Sequence, residues 1–335
     1  MFWEGVITPH MGLRVVMLDP DWFGDVEAER DHFERLLGDG VVVEAIDCTD
    51  AEIPERVGEA DFLLSHYTNV SAESMDATGC SVVSRYATGT DGIDIDAATE
   101  RGVRVTRVPT YCNDEVGMHA LSLALTFVRG LPTYDASTAD GRWAWGDAAP
   151  LQPVSDLTFG LLAFGNKGRS TGEKARALGF DVCAYDPYVA DDDIEAEGVR
   201  PVDFETLLAE ADVLSIHTPL TDETADMIDA DALDALDDDA IVVNTARGRV
   251  LDEDALLDAL DEGRLRGAGL DVLRTEPPGD DDPLLGRDDV VVTPHAAWYS
   301  TRTARELRRL GTEIAVAAYE KRETDGLVNP GVIRD

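Results

Sequence analysis

Three short apolar runs in the C-terminal half of the chain each lead into a loop that carries an ionisable side chain. The runs are IVVN, GAGL and VVV, and the side chains that follow them are Arg247, Glu276 and His295. Apolar runs of this length are typical of strands buried on both faces of a parallel sheet. Such sheets bind ligands at the carboxyl ends of their strands, so these side chains are expected to meet around one small molecule.

The chemistry that suits this trio is redox at a carbon that bears oxygen beside a carboxylate. Arg247 can hold the carboxylate of a 2-keto acid or polarise its carbonyl, because a guanidinium stays charged and presents a planar fork. His295 can exchange a proton with the carbonyl oxygen. Glu276 can fix the tautomer of that imidazole and favour its charged form. Taken singly, the alternatives are a surface ion pair, a loop histidine and a Glu-Pro turn.

The segments NTARGRVLDEDAL, LDVLRTEP and TPHAAW resemble, in order and spacing, the signature segments of the D-isomer-specific 2-hydroxyacid dehydrogenases. The resemblance implies that Arg247 binds substrate, that His295 is the acid/base and that Glu276 is its partner. PHAAWYS is most similar to the C-terminal-binding-protein and phosphoglycerate dehydrogenase-like branch. That branch implies that Trp298 walls the substrate pocket, with packing at the domain junction as an equal alternative. It also supplies the alternative function, an NAD(H)-sensing interaction protein.

The resemblance covers nearly the whole chain and implies an α/β fold of two Rossmann-like domains with parallel sheets. One is a flavodoxin-like substrate domain, residues 1–112 plus 300–335, and the other an NAD-binding Rossmann domain, residues 113–299. The active site is expected in the cleft between them. A helix predicted from about Thr301 to Tyr319 would return to the first domain and make it discontinuous.

The segment SVVSRYATGTDGIDIDAA predicts a strand that ends at Arg85, a glycine-bearing loop and a helix started by Asp94. Backbone N–H groups of such a loop can grip a carboxylate. The segment resembles the family's substrate loop, except that alanine and glycine replace the usual glycine and asparagine at positions 87 and 92. The predicted substrate-binding residues are Tyr67, Arg85, Ala87, Thr88, Gly89 and Trp298.

The segment LTFGLLAFGNKGRSTGEKARALGF predicts a strand, a tight turn and a helix, as in dinucleotide-binding folds. The G-x-G-x-x-G fingerprint is incomplete, because Ala163 replaces its first glycine. A pyrophosphate is still expected at the helix N-terminus, and Asp186, at the end of the next strand, is expected to bind the ribose and favour NAD over NADP. Lys167 either reaches a phosphate or extends to solvent.

Further cofactor contacts follow from the resemblance. The turn after ADVLSI resembles a cofactor-flanking turn, and Asp271 matches a position that bonds the nicotinamide carboxamide, with a strand-end cap as the alternative. The predicted cofactor-binding residues are Gly165, Asn166, Lys167, Gly168, Asp186, His217, Thr218, Pro219, Thr245, Ala246 and Asp271.

The net charge of −40, from 68 acidic and 28 basic residues, limits the possible partners. So acidic a chain is not expected to bind nucleic acid or an anionic membrane, whereas a small anionic 2-keto or 2-hydroxy acid needs local positive charge. Acidic runs often indicate disorder, but the 44% hydrophobic content and the alternation of strands and helices contradict that here. We therefore expect a halophilic protein, adapted to molar salt.

The four cysteines show no metal-binding spacing, so no metal is expected and the thiols are predicted to be reduced, and buried or incidental. Residues Met1 to Gly12 lack the pattern of a secretory leader, and no apolar run is long enough for a membrane helix. A cytoplasmic location is therefore expected. A homodimer is expected from family habit, and Trp143 and Trp145 either serve a dimer contact or cover the core.

Overall fold

The computed structural model describes residues 12–20 and 25–333. The chain divides into two compact units, residues 1–111 with 300–335 and residues 112–299. The boundaries expected from the sequence differ from these by the single residue Cys112. The segment Met1 to Gly12, predicted to carry no leader, lies outside the described residues except for Gly12.

The first unit is built on a five-stranded parallel sheet in the order β2-β1-β3-β4-β5, which is the flavodoxin-like order. Its strands are β1 (Arg14–Met17), β2 (Val42–Ala45), β3 (Phe62–Ser65), β4 (Val82–Arg85) and β5 (Arg104–Thr106). Its helices are α1 (Glu27–Leu37), α2 (Ile53–Arg56), α3 (Ala72–Thr78), α4 (Ile95–Glu100) and α12 (Thr301–Tyr319). Every residue of β3 and β4 is buried, as expected for strands covered on both faces.

The C-terminal helix α12 is held to the first unit by polar as well as apolar contacts. The hydroxyl of Tyr86, just after β4, lies 2.8 Å from Oγ1 of Thr312. Arg308 donates from Nε to the fully buried carboxylate of Glu29 on α1 at 2.8 Å. A buried carboxylate is costly unless it is paired, so this ion pair keeps α12 against α1.

The second unit is built on a seven-stranded parallel sheet in the order β12-β11-β10-β9-β6-β7-β8. Its strands are β6 (Thr158–Leu162), β7 (Asp181–Tyr185), β8 (Arg200–Pro201), β9 (Val213–Ile216), β10 (Ala240–Asn244), β11 (Leu265–Leu270) and β12 (Val290–Val292). Its helices are α5 (Asn113–Val128), α6 (Leu131–Ala139), α7 (Asn166–Leu178), α8 (Asp191–Glu195), α9 (Phe204–Glu210), α10 (Ala230–Asp234) and α11 (Glu253–Asp261). The six strands from β8 to β11, in the order β8-β7-β6-β9-β10-β11, follow the dinucleotide-binding order, which reverses between β6 and β9. The predicted fold class is confirmed in both units.

Side-chain burial settles two expectations from the sequence. All four cysteines are buried free thiols, and burial raises the pKa of Cys80 and of Cys183 to about 11. Trp143 and Trp145 are 94% and 85% exposed, so the idea that they cover the core is wrong. Within the part of the chain that the structure describes, no helix combines the length and apolarity needed to span a membrane.

Candidate active site

The three predicted catalytic side chains lie on loops that follow three neighbouring strands of the second unit. Arg247 follows β10, Glu276 follows β11 and His295 follows β12, and these strands are adjacent in the sheet. Because the strands are parallel, their carboxyl ends meet at one edge. The sheet therefore delivers all three residues to the same edge.

His295 and Glu276 form a direct pair at this edge. Nδ1 of His295 donates to Oε2 of Glu276 at 2.7 Å, and the other carboxylate oxygen accepts from the backbone N–H of Leu273 at 2.9 Å. About a third of each side chain is exposed, so the pair is held in place and still accessible to a small molecule. The carboxylate holds a proton on Nδ1 and leaves Nε2 as the ring nitrogen that can act on a ligand.

The charge on Glu276 is maintained by its neighbours. Burial alone would raise the pKa of its carboxyl, but the hydrogen bond and charge of His295, the Leu273 N–H and the charge of Arg247 together lower that pKa below its ordinary value of 4.5. The contribution of Arg247 means that its guanidinium acts on the same carboxylate as His295. The three residues thus form one electrostatic cluster.

The Arg247 loop is shaped by β10 and by a close backbone approach. The side chain of Asn244 donates to the carbonyl of Arg247 at 2.9 Å and accepts from the N–H of Ala246 at 3.0 Å. A Cβ atom added at Gly248 would lie 2.0 Å from the carbonyl carbon of Leu273, so only glycine fits there. This approach brings the loop of Arg247 against the loop of Glu276.

Asp271, directly after β11, holds the backbone that presents His295. Its carboxylate accepts from the N–H groups of Ala296 at 2.8 Å and Ala297 at 2.9 Å, and only 2% of the residue is exposed. His295 itself has a φ of +51°, a left-handed conformation that residues other than glycine seldom adopt. The structure thus shows the strand-end cap that the sequence left as one alternative, and the carboxamide contact stays a prediction.

The N-terminus of α7 has the features of a diphosphate site. Its cap residue is Gly165, no side chain caps its first N–H groups, and a Cβ atom added at Gly165 would meet no atom within 4 Å. A Cβ atom at Gly168 would lie 2.3 Å from the carbonyl oxygen of Ala163, so close packing of helix and strand requires glycine there. Ala163 has a φ of +77°, so the alanine adopts the conformation that the fingerprint glycine provides.

Asp186 follows β7 and faces the same turn. Its Oδ2 accepts from the N–H of Phe164 at 2.8 Å and its Oδ1 from that of Tyr188 at 2.9 Å. A carboxylate oxygen has two acceptor sites, so both oxygens retain capacity for ribose hydroxyls. This geometry fits the ribose of a dinucleotide whose pyrophosphate lies on α7.

Buried polar atoms along the same edge also fit a nucleotide. Nδ1 of His217 and Oγ1 of Thr245 have no hydrogen-bond partner among the described residues. These residues directly follow β9 and β10; β9 lies beside β6 in the sheet, and β10 is the next strand along. Buried polar atoms without partners are rare, and hydroxyl or amide groups of a nucleotide would satisfy them. Together with α7 and Asp186 they make a site that accommodates NAD.

His217 is uncharged at this edge. Its Nε2 lies 2.9 Å from Oγ of Ser215, and burial, assisted by the positive charge of Lys167, lowers the pKa of the imidazole to about 3. The predicted neighbours Thr218, Thr245 and Ala246 are buried, whereas Pro219 is exposed. Lys167 is half-buried in the first turn of α7, so its charge acts towards this edge.

The predicted substrate-binding residues of the first unit lie at the end of β4 or in the loops after β3 and β4. Arg85 is 9% exposed, and its Nη1 donates to Oγ of Ser65 at 2.7 Å and to the carbonyl of Thr68 at 2.9 Å. Arg85 therefore braces the loop after β3. In the loop after β4, the carbonyl of Ala87 accepts from the N–H of Val108 at 2.9 Å. The same loop contains Thr88 and Gly89, both half-buried.

In each unit, residues that hold the candidate loops in place were not selected from the sequence. In the first unit the carboxylate of Asp19, just after β1, accepts from the N–H groups of Tyr67 and Thr68, each at 2.7 Å. In the second unit His119 and Thr293 contact Asp271. Asp19 could have been found from its position after a strand, because Asp186 and Asp271 occupy the same kind of position. No local sequence pattern marks His119, which lies on α5.

The fold and the site define an α/β protein of the dinucleotide-binding class. Residues 121–297, more than half of the chain, match the domain described as "D-isomer specific 2-hydroxyacid dehydrogenase, NAD binding domain". The chain belongs to the D-isomer-specific 2-hydroxyacid dehydrogenase family, as its motifs predicted, and its cofactor is NAD.

Relatives of known name cover most of the chain. A D-3-phosphoglycerate dehydrogenase of Archaeoglobus fulgidus is 39% identical over 239 residues, which are 71% of this chain and 45% of that protein. A hydroxypyruvate reductase of Blautia hydrogenotrophica is 32% identical over 312 residues, 90% of this chain and 92% of that protein. The chain thus spans about half the length of the phosphoglycerate dehydrogenases that it matches.

A solved structure is similar over the same extent. The crystal structure of the TT0316 protein from Thermus thermophilus has a TM-score of 0.82 and 32% identity, and the match covers 94% of this chain and all of that one.

The low pKa of His217 gives a test of its environment. In the folded chain the imidazole stays neutral down to a pKa of about 3, whereas in the unfolded chain it takes up a proton below about 6.5. The free energy of unfolding therefore decreases as the pH falls below about 6.5. We expect the free energy of unfolding of the wild type to fall about 1–2 kcal/mol more than that of His217→Gln between pH 7.5 and 5. Denaturant titrations at both pH values measure the difference, and parallel losses in the two proteins would contradict it.

Proposed function

We propose that the protein is an NAD-dependent oxidoreductase that interconverts a small 2-keto acid and the corresponding D-2-hydroxy acid. The observation that carries the proposal is the hydrogen bond between Nδ1 of His295 and Glu276, with the charge of Arg247 acting on the same carboxylate. A base, its orienting carboxylate and an anion-binding arginine are the groups that this reaction requires.

The proposed chemistry places one proton transfer on His295. NADH supplies the hydride that is added to C2 of the keto acid. With Nδ1 engaged by Glu276, His295 gives the proton on Nε2 to the carbonyl oxygen and recovers it in the oxidative direction. Glu276 stabilises the imidazolium, and Arg247 holds the carboxylate of the acid or polarises its carbonyl.

The proposed cofactor contacts follow the geometry of the second unit. The first turn of α7, with Gly165, Asn166, Lys167 and Gly168, would hold the pyrophosphate, and Asp186 would hold the ribose. The remaining contacts are proposed for strand-end residues: His217, Thr218, Pro219, Thr245, Ala246 and Asp271. An aspartate at the ribose accepts from the 2′-hydroxyl and repels a 2′-phosphate, which supports NAD over NADP.

The proposed substrate is a small anionic acid. The names of the relatives, D-3-phosphoglycerate dehydrogenase and hydroxypyruvate reductase, support this class. A chain with a net charge of −40 repels such an anion, so the arginines near the site gain importance. We propose that Arg85 contributes positive charge to substrate binding beside the loop after β3, which it braces. We propose that the N–H groups of Ala87, Thr88 and Gly89 bind the acid, and that Tyr67 and Trp298 limit the size of the substrate.

We also propose a cytoplasmic homodimer adapted to high salt. The exposed indoles of Trp143 and Trp145, together with the exposed Leu131 on α6, offer an apolar surface that a second copy would cover. Four buried free thiols support a reducing compartment. The excess of acidic residues, 68 against 28 basic ones, supports the salt requirement, because the surplus negative charges repel one another.

The first test is oxidation of NADH at high salt with glyoxylate, hydroxypyruvate, pyruvate and phosphohydroxypyruvate, beside a parallel NADPH series. We expect turnover with at least one acid and a preference for NADH. His295→Ala should lower kcat by about 10²–10⁴-fold, because it removes the proton donor. Arg247→Ala should raise the KM for the acid, whereas Arg249→Ala, an exposed arginine two residues away, should match the wild type.

The contrary outcome identifies the other function. Tight binding of NADH without turnover on any acid, together with a protein partner whose binding depends on NADH, would replace the dehydrogenase by an NAD(H)-sensing interaction protein.

The dimer surface is tested by removing its indoles. We expect Trp143→Ala with Trp145→Ala to shift the protein from dimer to monomer, as measured by sedimentation at high salt. Tyr188→Ala, which removes an aromatic ring that is 83% exposed elsewhere in the unit, should leave the dimer intact. A wild-type monomer, or an equal shift in the Tyr188 variant, would contradict the proposed surface.

The salt requirement is tested by dilution. Molar salt shortens the screening length to about 3 Å, against about 30 Å at 0.01 M, so self-repulsion should unfold the protein in dilute buffer. All four thiols are buried in the folded protein, so we expect them to be unreactive at molar salt. As the salt is removed, we expect the circular dichroism signal to fall and all four thiols to react with a thiol reagent. A folded protein with unreactive thiols at about 0.01 M salt would overturn the proposal.

A further inference from the structure

His119 contacts the loop that carries the catalytic histidine, although it lies on a helix that the reaction does not otherwise use. It is on α5, and its Nε2 lies 2.9 Å from Oγ1 of Thr293 and 3.5 Å from Oδ1 of Asp271. Thr293 in turn lies 2.6 Å from the same carboxylate oxygen. The three side chains thus form a connected chain from α5 to the end of β11.

The number of protons on each group determines which atom donates in the hydrogen bonds among His119, Thr293 and Asp271. A carboxylate only accepts hydrogen bonds. That of Asp271 accepts from two backbone N–H groups and from the hydroxyl of Thr293. A hydroxyl has one proton, and Thr293 has given it to Asp271, so its oxygen must accept from His119. Nε2 of His119 is therefore the protonated nitrogen and the first donor of the chain.

The chain ends at the strained backbone of His295. The N–H of His295 donates to the carbonyl of Asp271 at 2.8 Å and to that of Thr293 at 2.9 Å. The next two N–H groups, of Ala296 and Ala297, donate to the Asp271 carboxylate. A left-handed residue of this type persists only where its surroundings over-determine it, and Asp271 with Thr293 supplies those surroundings.

We propose that His119 and Thr293 are positioning residues, which fix the Asp271 carboxylate and through it the backbone of His295 in the geometry that proton transfer requires. The proposal rests on the proposed dehydrogenase function for its kinetic consequence, but its structural part does not. Neither residue needs to touch substrate or cofactor. Their effect is to keep the imidazole aligned with Glu276.

The sharpest test compares two substitutions of Thr293. Thr293→Val keeps the shape but removes the hydroxyl, so Asp271 loses a donor and His119 an acceptor. We expect kcat to fall about tenfold and the KM for the keto acid to stay within about twofold, since misplacement of a catalytic group affects the transition state most. Thr293→Ser retains the hydroxyl and should restore most of kcat.

The donor end is tested in the same way. His119→Phe keeps an aromatic ring without a donor and should lower kcat, while His119→Gln can still donate to Thr293 and should be less affected. Ser122→Ala removes an exposed hydroxyl from the same helix and serves as the control for changes in α5. Thermal unfolding of each variant identifies any that fail to fold.

A second readout does not depend on turnover. The Nδ1 proton of His295, bonded to Glu276, gives an imidazole resonance that His295→Ala identifies by its loss in NMR spectra of the protein without ligands. We expect Thr293→Val to shift or broaden this resonance and Thr293→Ser to leave it in place. If the wild type lacks turnover but the resonance responds in this way, the proposed function fails and the positioning role stands.

Two results would overturn the inference. One is a Thr293→Val protein whose kcat and His295 resonance both match the wild type. The other is a Thr293→Ser protein as impaired as Thr293→Val in both measurements, which would assign the effect to side-chain packing and not to the hydroxyl.

Discussion

The candidate site depends on one buried carboxylate. Burying the charge of Asp271 would cost several kcal/mol if it lacked partners, but two backbone N–H groups and one hydroxyl compensate it. Those partners belong to the residues on either side of His295. The need to satisfy the carboxylate therefore determines the path of the loop, and the path of the loop brings the imidazole to within 2.7 Å of Glu276.

The distribution of charge follows a second constraint, which is that a strongly acidic chain must still attract an anionic cofactor. Two of the three lysines in the sequence, Lys167 and Lys174, lie in α7 with Arg169 and Arg176, against the single acidic residue Glu173. At molar salt the screening length is about 3 Å, so only neighbouring charges act strongly on one another. The charge of Lys167, in the first turn of α7, is therefore effective at the proposed phosphate site even when the rest of the surface is negative.

The sequence predicted those parts of the molecule that are set by local patterns. The apolar runs gave the strands, Asp94 begins α4 with a side-chain bond to the N–H of Ala97, and α12 has the predicted bounds. The order of the motifs predicted that Arg247, Glu276 and His295 follow successive strands, and those strands are neighbours in the sheet. Contacts between distant segments could not be predicted from local patterns. His119 and Thr293 are 174 residues apart, and the packing of α5 on β10 and β11 brings them together.

Two residues with left-handed backbones, Ala163 and His295, show why an alanine can replace the first glycine of the dinucleotide fingerprint. A left-handed conformation costs a residue other than glycine roughly 1–2 kcal/mol, and both Ala163 and His295 adopt it. In each case the neighbouring strand stabilises the backbone, since the N–H of Ala163 donates to the carbonyl of Tyr185 at 2.8 Å and that of His295 to the carbonyl of Asp271. An alanine also restricts the unfolded chain more than a glycine does, which offsets part of the cost. Replacement of the fingerprint glycine is thus compatible with the turn, because hydrogen bonds at the sheet edge, and not the identity of the residue alone, fix its conformation.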